Sequence, residues 1–118
     1  MKELQAPKLL LLWEKLTTDL MNDSRRFSAS FRHNLTQYIN QNLLDGLCLL
    51  ATIPYAASSS KQTKLKELDA LLVRLRVLVR QCFLQAAMAE RRYEFHQGRI
   101  NELGKMLGGW LKYLSDRH

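Results

Sequence analysis

The sequence predicts an all-α fold, an antiparallel up-and-down four-helix bundle. Apolar residues recur at three- and four-residue intervals along four segments, as they do on one face of a helix. Only five glycines and two prolines interrupt the chain, and no segment alternates apolar and polar residues as a strand does. A chain of 118 residues has room for one domain, which we place at residues 1–118.

The first predicted helix runs from Pro7 to about Asn22. Proline suits the first turn of a helix, where its missing N–H would have no partner in any case. The polar run Asn22-Asp23-Ser24 ends the helix. Its apolar stripe comprises Leu9, Leu12, Trp13, Leu16 and Leu20.

The second predicted helix begins with Ser28 or Ser30 as its cap and runs to about Ile53, because Pro54 cannot continue it. The stretch that follows, residues 56–60, consists of Ala and Ser and has the composition of a linker. The side chains that this helix is expected to bury are Phe31, Leu35, Tyr38, Ile39, Leu43, Leu47 and Leu50.

The third predicted helix runs from about Thr63 to Met88 and carries the seam of a helical bundle. A second apolar line on this helix, Val73, Val77 and Leu84, would lie partly in water in a monomer, so we predict that it is a subunit contact. The seam itself comprises Leu65, Leu68, Leu72, Leu75, Val79, Cys82 and Ala86, widened on one side by Leu71 and Leu78.

The fourth predicted helix runs from about Arg91 to Leu114. On its outer face Arg91, Gly98, Lys105 and Lys112 recur at intervals of seven residues, so the basic side chains line up along solvent. Its buried face comprises Tyr93, His96, Ile100, Leu103, Leu107, Trp110 and Leu114.

The string at residues 102–112 places three glycines beside a tryptophan inside this helix. Each glycine in a helix interior costs up to about 1 kcal/mol relative to alanine, so a compensating contact is expected. Gly104 and Gly108 form a GxxxG pair, which permits close helix approach. We predict a packing motif of Gly104, Gly108, Gly109 and Trp110, in which another backbone approaches the glycines and packing beneath Trp110 is tight.

The chain carries a net charge of +7, concentrated in its C-terminal half. Residues 1–60 hold six Lys and Arg against five Asp and Glu, whereas residues 61–118 hold twelve against six. Such a surplus favours an acidic partner, and nucleic acid is the commonest one for a small basic domain. The alternative, that the charge serves only solubility, stays open.

Two arginines of the third helix are candidates for binding such a partner. Arg76 and Arg80 lie one turn apart among Leu and Val, and no acidic residue lies within one turn of either. Guanidinium groups in that setting can bind phosphates or a partner's carboxylates, or they can simply reach solvent or cross a subunit contact. A second basic cluster, which could bind anions or be a solvated turn, comprises Arg25, Arg26, Arg32 and His33.

No residue pattern predicts an enzyme, a metal site or a cofactor. His33, His96 and His118 have no carboxylate or second histidine three or four residues on, and Cys48 and Cys82 lack CxxC spacing. Both thiols fall at apolar helical positions, where cysteine behaves as a small hydrophobe. No stretch approaches the ~20 apolar residues of a membrane span. We therefore expect a non-enzymatic, intracellular protein.

Three features connect the chain to a known family. They are Leu75-Arg76 with Arg80, the Arg92-Tyr93-Glu94 opening of the last helix, and the string at residues 102–112. On these features residues 68–114 closely resemble the accessory variability determinant (Avd) proteins of diversity-generating retroelements. The wider four-helix-bundle family includes proteins encoded in 23S rRNA intervening sequences. Upstream, this chain has Ser28 where the family often has proline.

The resemblance implies a homopentameric ring of bundles that binds RNA or DNA and associates with the retroelement's reverse transcriptase. It would support synthesis of the mutagenised cDNA that diversifies a target gene, in the cytoplasm, as a bacterial, archaeal or phage-encoded protein. An alternative is a protein-interaction bundle of the intervening-sequence type with no polymerase partner. The residues implied to contact nucleic acid or polymerase are Arg74, Arg76, Arg80, Arg91, Arg92, Arg99, Lys105 and Lys112.

Overall fold

The computed structural model confirms the all-α fold and describes residues 5–116, with the side chains of residues 7–30 and 34–116. None of the described residues lies in a strand. The elements in chain order are helices α1 (Gln5–Ser24) and α2 (Ala29–Phe31), a π-helical turn (Arg32–Thr36), helix α3 (Gln37–Thr52), a 3-10 turn (Ile53–Tyr55), and helices α4 (Ser58–Leu84) and α5 (Glu90–Asp116).

The four long helices α1, α3, α4 and α5 form a bundle. Helices α1 and α4 each pack against both α3 and α5. Short connections reverse the chain between successive long helices, so α1 and α4 run in one direction while α3 and α5 run in the other. The molecule measures 47 × 22 × 19 Å, which is the elongated shape that helices of 27 residues impose. No described helix combines the length and the apolarity needed to cross a lipid bilayer.

The core follows the predicted stripes with one exception on α3. Tyr38 was expected to be buried, but 67% of its surface is exposed. That prediction is wrong because Ile39, the next residue and roughly 100° further round the helix, faces the core instead. The predicted side chain of Phe31 lies outside the described side chains. The residues of α4 and α5 confirmed as buried are Leu65, Leu68, Leu72, Leu75, Val79, Cys82, His96, Ile100, Leu103, Leu107, Trp110 and Leu114.

Trp13 determines how α1 packs against α3. Its side chain is fully buried, and the indole Nε1 donates a hydrogen bond to the Leu43 carbonyl oxygen over 2.8 Å. That bond satisfies the one polar group of the ring inside the core. The ring lies directly against Gly46, where an added Cβ would come within 2.1 Å of Trp13 Cζ2. The missing side chain of Gly46 therefore makes room for the indole.

The glycines of the predicted packing motif make no such contact. A Cβ at Gly108 or Gly109 would meet no described atom within 4 Å, because both residues lie on the exposed side of α5. A Cβ at Gly104 would make ordinary contacts, 3.5 Å from Arg76 Nη2 and 3.6 Å from Leu72 Cδ2. Trp110 is buried. The predicted close packing of the three glycines is therefore wrong within the monomer.

Helix α4 ends earlier than predicted, at Leu84, in a turn that places an alanine in the left-handed region. Ala86 has a φ of 62°. Its N–H donates to the Phe83 carbonyl oxygen, and the Ala87 N–H donates to that of Cys82. This Schellman pattern usually has glycine at the left-handed position, because a Cβ disfavours that conformation. The prediction that Ala86 continues the buried seam is wrong, since the chain has left the helix there.

The π-helical turn is accompanied by buried polar atoms without partners. Thr36 Oγ1 and Asn40 Oδ1 have no hydrogen-bond partner among the described residues. An unsatisfied buried acceptor or donor costs about 1–3 kcal/mol. Asn42, by contrast, is buried and donates from Nδ2 to the Leu71 carbonyl oxygen over 3.4 Å, which links α3 to α4.

Replacing Gly46 with alanine is expected to destabilise the bundle by about 1–3 kcal/mol, because the new methyl group would displace the Trp13 indole from its hydrogen bond. Urea unfolding followed by circular dichroism measures the change. Gly98→Ala is the matched control, because its Cβ would meet no described atom within 4 Å. The control should stabilise the protein by up to about 1 kcal/mol. Equal effects of the two substitutions would contradict the Trp13 contact.

Replacing Ala86 with glycine is expected to stabilise the protein by about 0.5–1 kcal/mol, because glycine adopts the left-handed conformation without a steric cost. Ala70→Gly, at an exposed position inside α4, should have the opposite effect. Thermal unfolding of both variants tests the sign of each change. A destabilised Ala86→Gly protein would show that the left-handed turn is not strained.

Candidate nucleic-acid interface

The eight predicted contact residues divide into two groups, according to whether a carboxylate binds them. Arg92 and Arg99 lie on the side that packs against α1, where both are bonded to α1 carboxylates. The remaining six are residues of α4 and α5 that are not bonded to a carboxylate, and we call them the open basic face: Arg74, Arg76, Arg80, Arg91, Lys105 and Lys112.

On the α1 side, two aspartates one turn apart bind the two arginines. Arg92 Nε donates to Asp23 Oδ2 over 2.9 Å, and Arg99 donates to Asp19. The guanidinium carbons of both arginines stack on the Phe95 ring, 4.6 Å and 4.5 Å from its centroid. This arrangement holds α5 against α1. Sequence reasoning missed it, and the predicted nucleic-acid contact of these two arginines stays a prediction.

His96 joins the same cluster from inside the core. Its side chain is fully buried, its Nε2 lies 2.6 Å from Asp23 Oδ2, and its Nδ1 has no partner among the described residues. Burial lowers the pKa of His96 below its ordinary value of 6.5, and the hydrogen bond to Asp23 opposes this without reversing it. At neutral pH the imidazole is therefore neutral and donates through Nε2.

The pKa of Asp23 moves in the direction that this pairing requires. Burial alone would raise the pKa, but the hydrogen bonds from Arg92 and His96 outweigh it and hold the pKa below the ordinary value of 3.8. Asp23 therefore remains ionised at neutral pH. Its charge is neutralised locally by Arg92, so this cluster attracts an external anion less than an unpaired arginine would.

The open basic face lacks such neutralisation. None of its six cations lies within 4 Å of a carboxylate among the described residues, where the three ion pairs all join α1 to α5. Arg76 Nη2 donates to Asn101 Oδ1, and Arg80 Nη1 donates to the Tyr93 hydroxyl, both over 3.3 Å. These partners are uncharged, so they orient the guanidinium groups without cancelling their charge.

An aromatic pair supports Arg80 at one end of the face. The rings of Phe83 and Tyr93 stack with centroids 4.5 Å apart and planes 8° from parallel. At the α3 edge, Arg74 borders a groove that also contains Asp45 and Glu67, so the positive field is weaker there. The strongest unopposed charge therefore follows the line between α4 and α5.

The other sequence candidates contribute less. Arg25 and Arg26 are exposed in the turn after α1, whereas the side chains of Arg32 and His33 lie outside the described ones. His118 lies beyond the described residues. Within the described part of the chain, no three His, Cys, Asp or Glu side chains lie close enough to share a metal ion. Cys82 is buried, which raises the pKa of its thiol to about 11, while Cys48 is exposed and not in the core as its position suggested.

The free energy of unfolding is expected to fall as the pH drops below about 6.5, because the unfolded chain then binds a proton at His96 that the folded chain does not. A further loss should follow below 3.8, where Asp23 becomes protonated in the unfolded state first. Urea unfolding at a series of pH values measures both steps. His96→Gln keeps a donor for Asp23 and should remove the first step. The variant retains the other two histidines, so the difference between the two pH profiles reports on His96 alone. An unaltered profile in this variant would contradict the assignment.

Comparison with known proteins identifies one family. A family model described as bAvd-like matches residues 11–114, from the early turns of α1 to the last turn of α5. No curated protein and no solved structure gives a match. The matched range contains all of α3 and α4, most of α1 and α5, and every residue of the open basic face. The chain therefore belongs to the bAvd-like family, as the resemblance of its C-terminal half predicted.

Proposed function

We propose that this chain is a non-enzymatic accessory subunit that binds RNA or DNA through the open basic face. In this proposal it associates in the cytoplasm with the reverse transcriptase of a diversity-generating retroelement and supports mutagenic cDNA synthesis. The observation that carries the proposal is that six cations of α4 and α5 in this bAvd-like protein have no carboxylate partner among the described residues. Uncompensated Lys and Arg side chains gain most from a partner with closely spaced phosphates.

The character of the face favours binding without sequence preference. Of the exposed aromatic side chains, Tyr38 belongs to α3, Tyr55 to the 3-10 turn, and Phe95 to the α1 side of α5. Tyr113 follows Phe95 by a whole number of helical turns, so it lies on that same side of α5. None of them offers a stacking platform to bases held on the open basic face. Binding should therefore depend on phosphate contacts and should weaken steeply as salt is added.

The proposal includes self-association through α4. Val73, Val77 and Leu84 follow one side of this helix, and 49%, 56% and 56% of their surfaces are exposed. An aligned row of exposed apolar side chains is typical of a surface that another protein covers. We propose that further copies of the chain cover it, in a pentameric ring of the kind that the resemblance implies. Such a ring would add the fields of several basic faces and strengthen binding to a polyanion.

The same apolar row supports the alternative function, a protein-interaction bundle of the intervening-sequence type with no polymerase partner. That protein would self-associate but bind nucleic acid no better than any basic protein of equal charge. Co-purification with a reverse transcriptase encoded beside it, together with salt-dependent RNA binding, favours the first proposal. Self-association without either property favours the second.

Replacing both Arg76 and Arg80 with alanine is expected to weaken nucleic-acid binding more than it lowers thermal stability. Each phosphate contact that is lost should reduce the magnitude of the slope of log K against log salt by about 0.7 on a single strand, so the double variant loses up to twice that amount. Fluorescence anisotropy with labelled RNA and DNA over a salt series measures both affinity and slope. The matched control is Lys8→Ala with Lys15→Ala, which removes the same charge from exposed positions of α1. Equal losses of affinity in the two double variants would contradict a localised binding face.

A further inference from the structure

A groove between α4 and α5 lies on the open basic face. Its volume is about 430 Å³, and it is open to solvent. The α4 side contributes Asp69, Leu72 and Arg76, and the α5 side contributes Asn101, Gly104 and Lys105. The groove thus brings together two positive charges, one amide and one negative charge, from residues that are up to 36 positions apart in the sequence.

Gly104 lines the groove without a side chain. A Cβ there would lie 3.5 Å from Arg76 Nη2, in ordinary van der Waals contact with the guanidinium group. A longer side chain would extend from that point into the space that the groove now occupies. The glycine costs up to about 1 kcal/mol of helix stability relative to alanine, and no close helix contact within the monomer compensates for it. We therefore attribute the glycine at this position to the open groove beside Arg76.

The groups around the groove are already oriented. Arg76 donates one of its five N–H groups to Asn101 Oδ1 over 3.3 Å, and its backbone carbonyl oxygen accepts a hydrogen bond from Gln97 Nε2 over 3.2 Å. Because Asn101 accepts through its oxygen, its amide nitrogen remains free to donate. Guanidinium, amide and the nearby Lys105 ammonium are all donors suited to a tetrahedral anion.

We propose that this groove binds one phosphate group of a nucleic-acid backbone, with Arg76, Asn101 and Lys105 as its donors and Gly104 as the residue that keeps it open. This inference rests on the proposed nucleic-acid binding and assigns its central contact. Asp69 on the groove wall opposes any anion in the groove and offsets part of the positive charge of Arg76 and Lys105.

The surroundings favour a polymer over an isolated acidic side chain. Helices α4 and α5 are antiparallel, so Arg80 lies one turn from Arg76 toward one end of the bundle, and Lys112 lies two turns from Lys105 toward the other. Unpaired positive charge therefore continues in both directions from the groove. A nucleic-acid strand with regularly spaced phosphates can contact the groove and the cations on both sides of it, whereas one carboxylate of a protein partner would contact the groove alone.

The inference is tested by a matched pair of substitutions. Gly104→Leu fills the groove without changing charge, and Gly108→Leu adds the same side chain one turn further along α5, where a Cβ would meet no described atom within 4 Å. We expect Gly104→Leu to weaken binding of single-stranded RNA about tenfold, as the loss of one charge-assisted contact does, and Gly108→Leu to leave it unchanged. Circular dichroism checks that both variants remain folded.

Two milder variants keep the test decisive if Gly104→Leu fails to fold. Asn101→Ala removes a donor at an exposed position and should weaken RNA binding, whereas Asp69→Asn removes the repelling charge and should strengthen it. Opposite shifts of these two variants support the groove. Unchanged RNA affinity in both variants, or in a folded Gly104→Leu protein, overturns the groove as the phosphate site. The proposed function is judged separately, by whether the wild-type protein binds RNA or DNA.

A second measurement separates the groove from the proposed function. Inorganic phosphate is titrated into the labelled wild-type protein while NMR follows the Gly104 backbone amide and the Asn101 side-chain amide. Saturable shifts at both groups that are absent with Gly104→Leu support the site, even if wild-type protein binds no RNA or DNA and the proposed function fails. Shifts produced equally by acetate, with RNA binding unaffected by Gly104→Leu, overturn the phosphate assignment in favour of a protein carboxylate.

Discussion

The ion pairs between α1 and α5 determine which positive charges of this protein remain available. Asp19 and Asp23 bind Arg99 and Arg92, and Phe95 stacks between the two guanidinium groups. Among the described residues, no carboxylate of α4 forms an ion pair with the other cations of α5. One helix therefore carries two kinds of cation, a neutralised set that fixes its position and an unneutralised set that faces outward. The proposed interface depends on that asymmetry.

Glycine has two different uses in this bundle. At Gly46 the absence of a side chain admits the Trp13 indole into the contact between α1 and α3. On α5 the absence of side chains serves the outer surface, since Gly108 and Gly109 lie exposed and Gly104 leaves open space beneath Arg76. The first use stabilises the monomer. The second weakens the helix slightly and makes its surface accessible to something outside the monomer.

Helical periodicity was sufficient to predict four helices and most of the core, because buried stripes repeat at fixed intervals whatever their partners are. It failed at Tyr38, where the neighbouring Ile39 takes the core-facing position, and at Ala86, where the chain has already left the helix in a left-handed turn. The basic residues of the site were visible as unpaired charges in the sequence. The pairing of Asp23 with Arg92 was not, because residues 69 positions apart meet only through the tertiary arrangement.

The free energy of local unfolding should differ along the long axis of the molecule. Thr36, Asn40 and His96 each bury a polar atom without a partner among the described residues, and all three lie toward the end where α1 gives way to α2 and α4 to α5. Fraying exposes such atoms to water and recovers the cost of burying them. Transient local opening around Thr36 and Asn40 should therefore cost less free energy than opening of the fully satisfied core, and their backbone amides should exchange with solvent sooner.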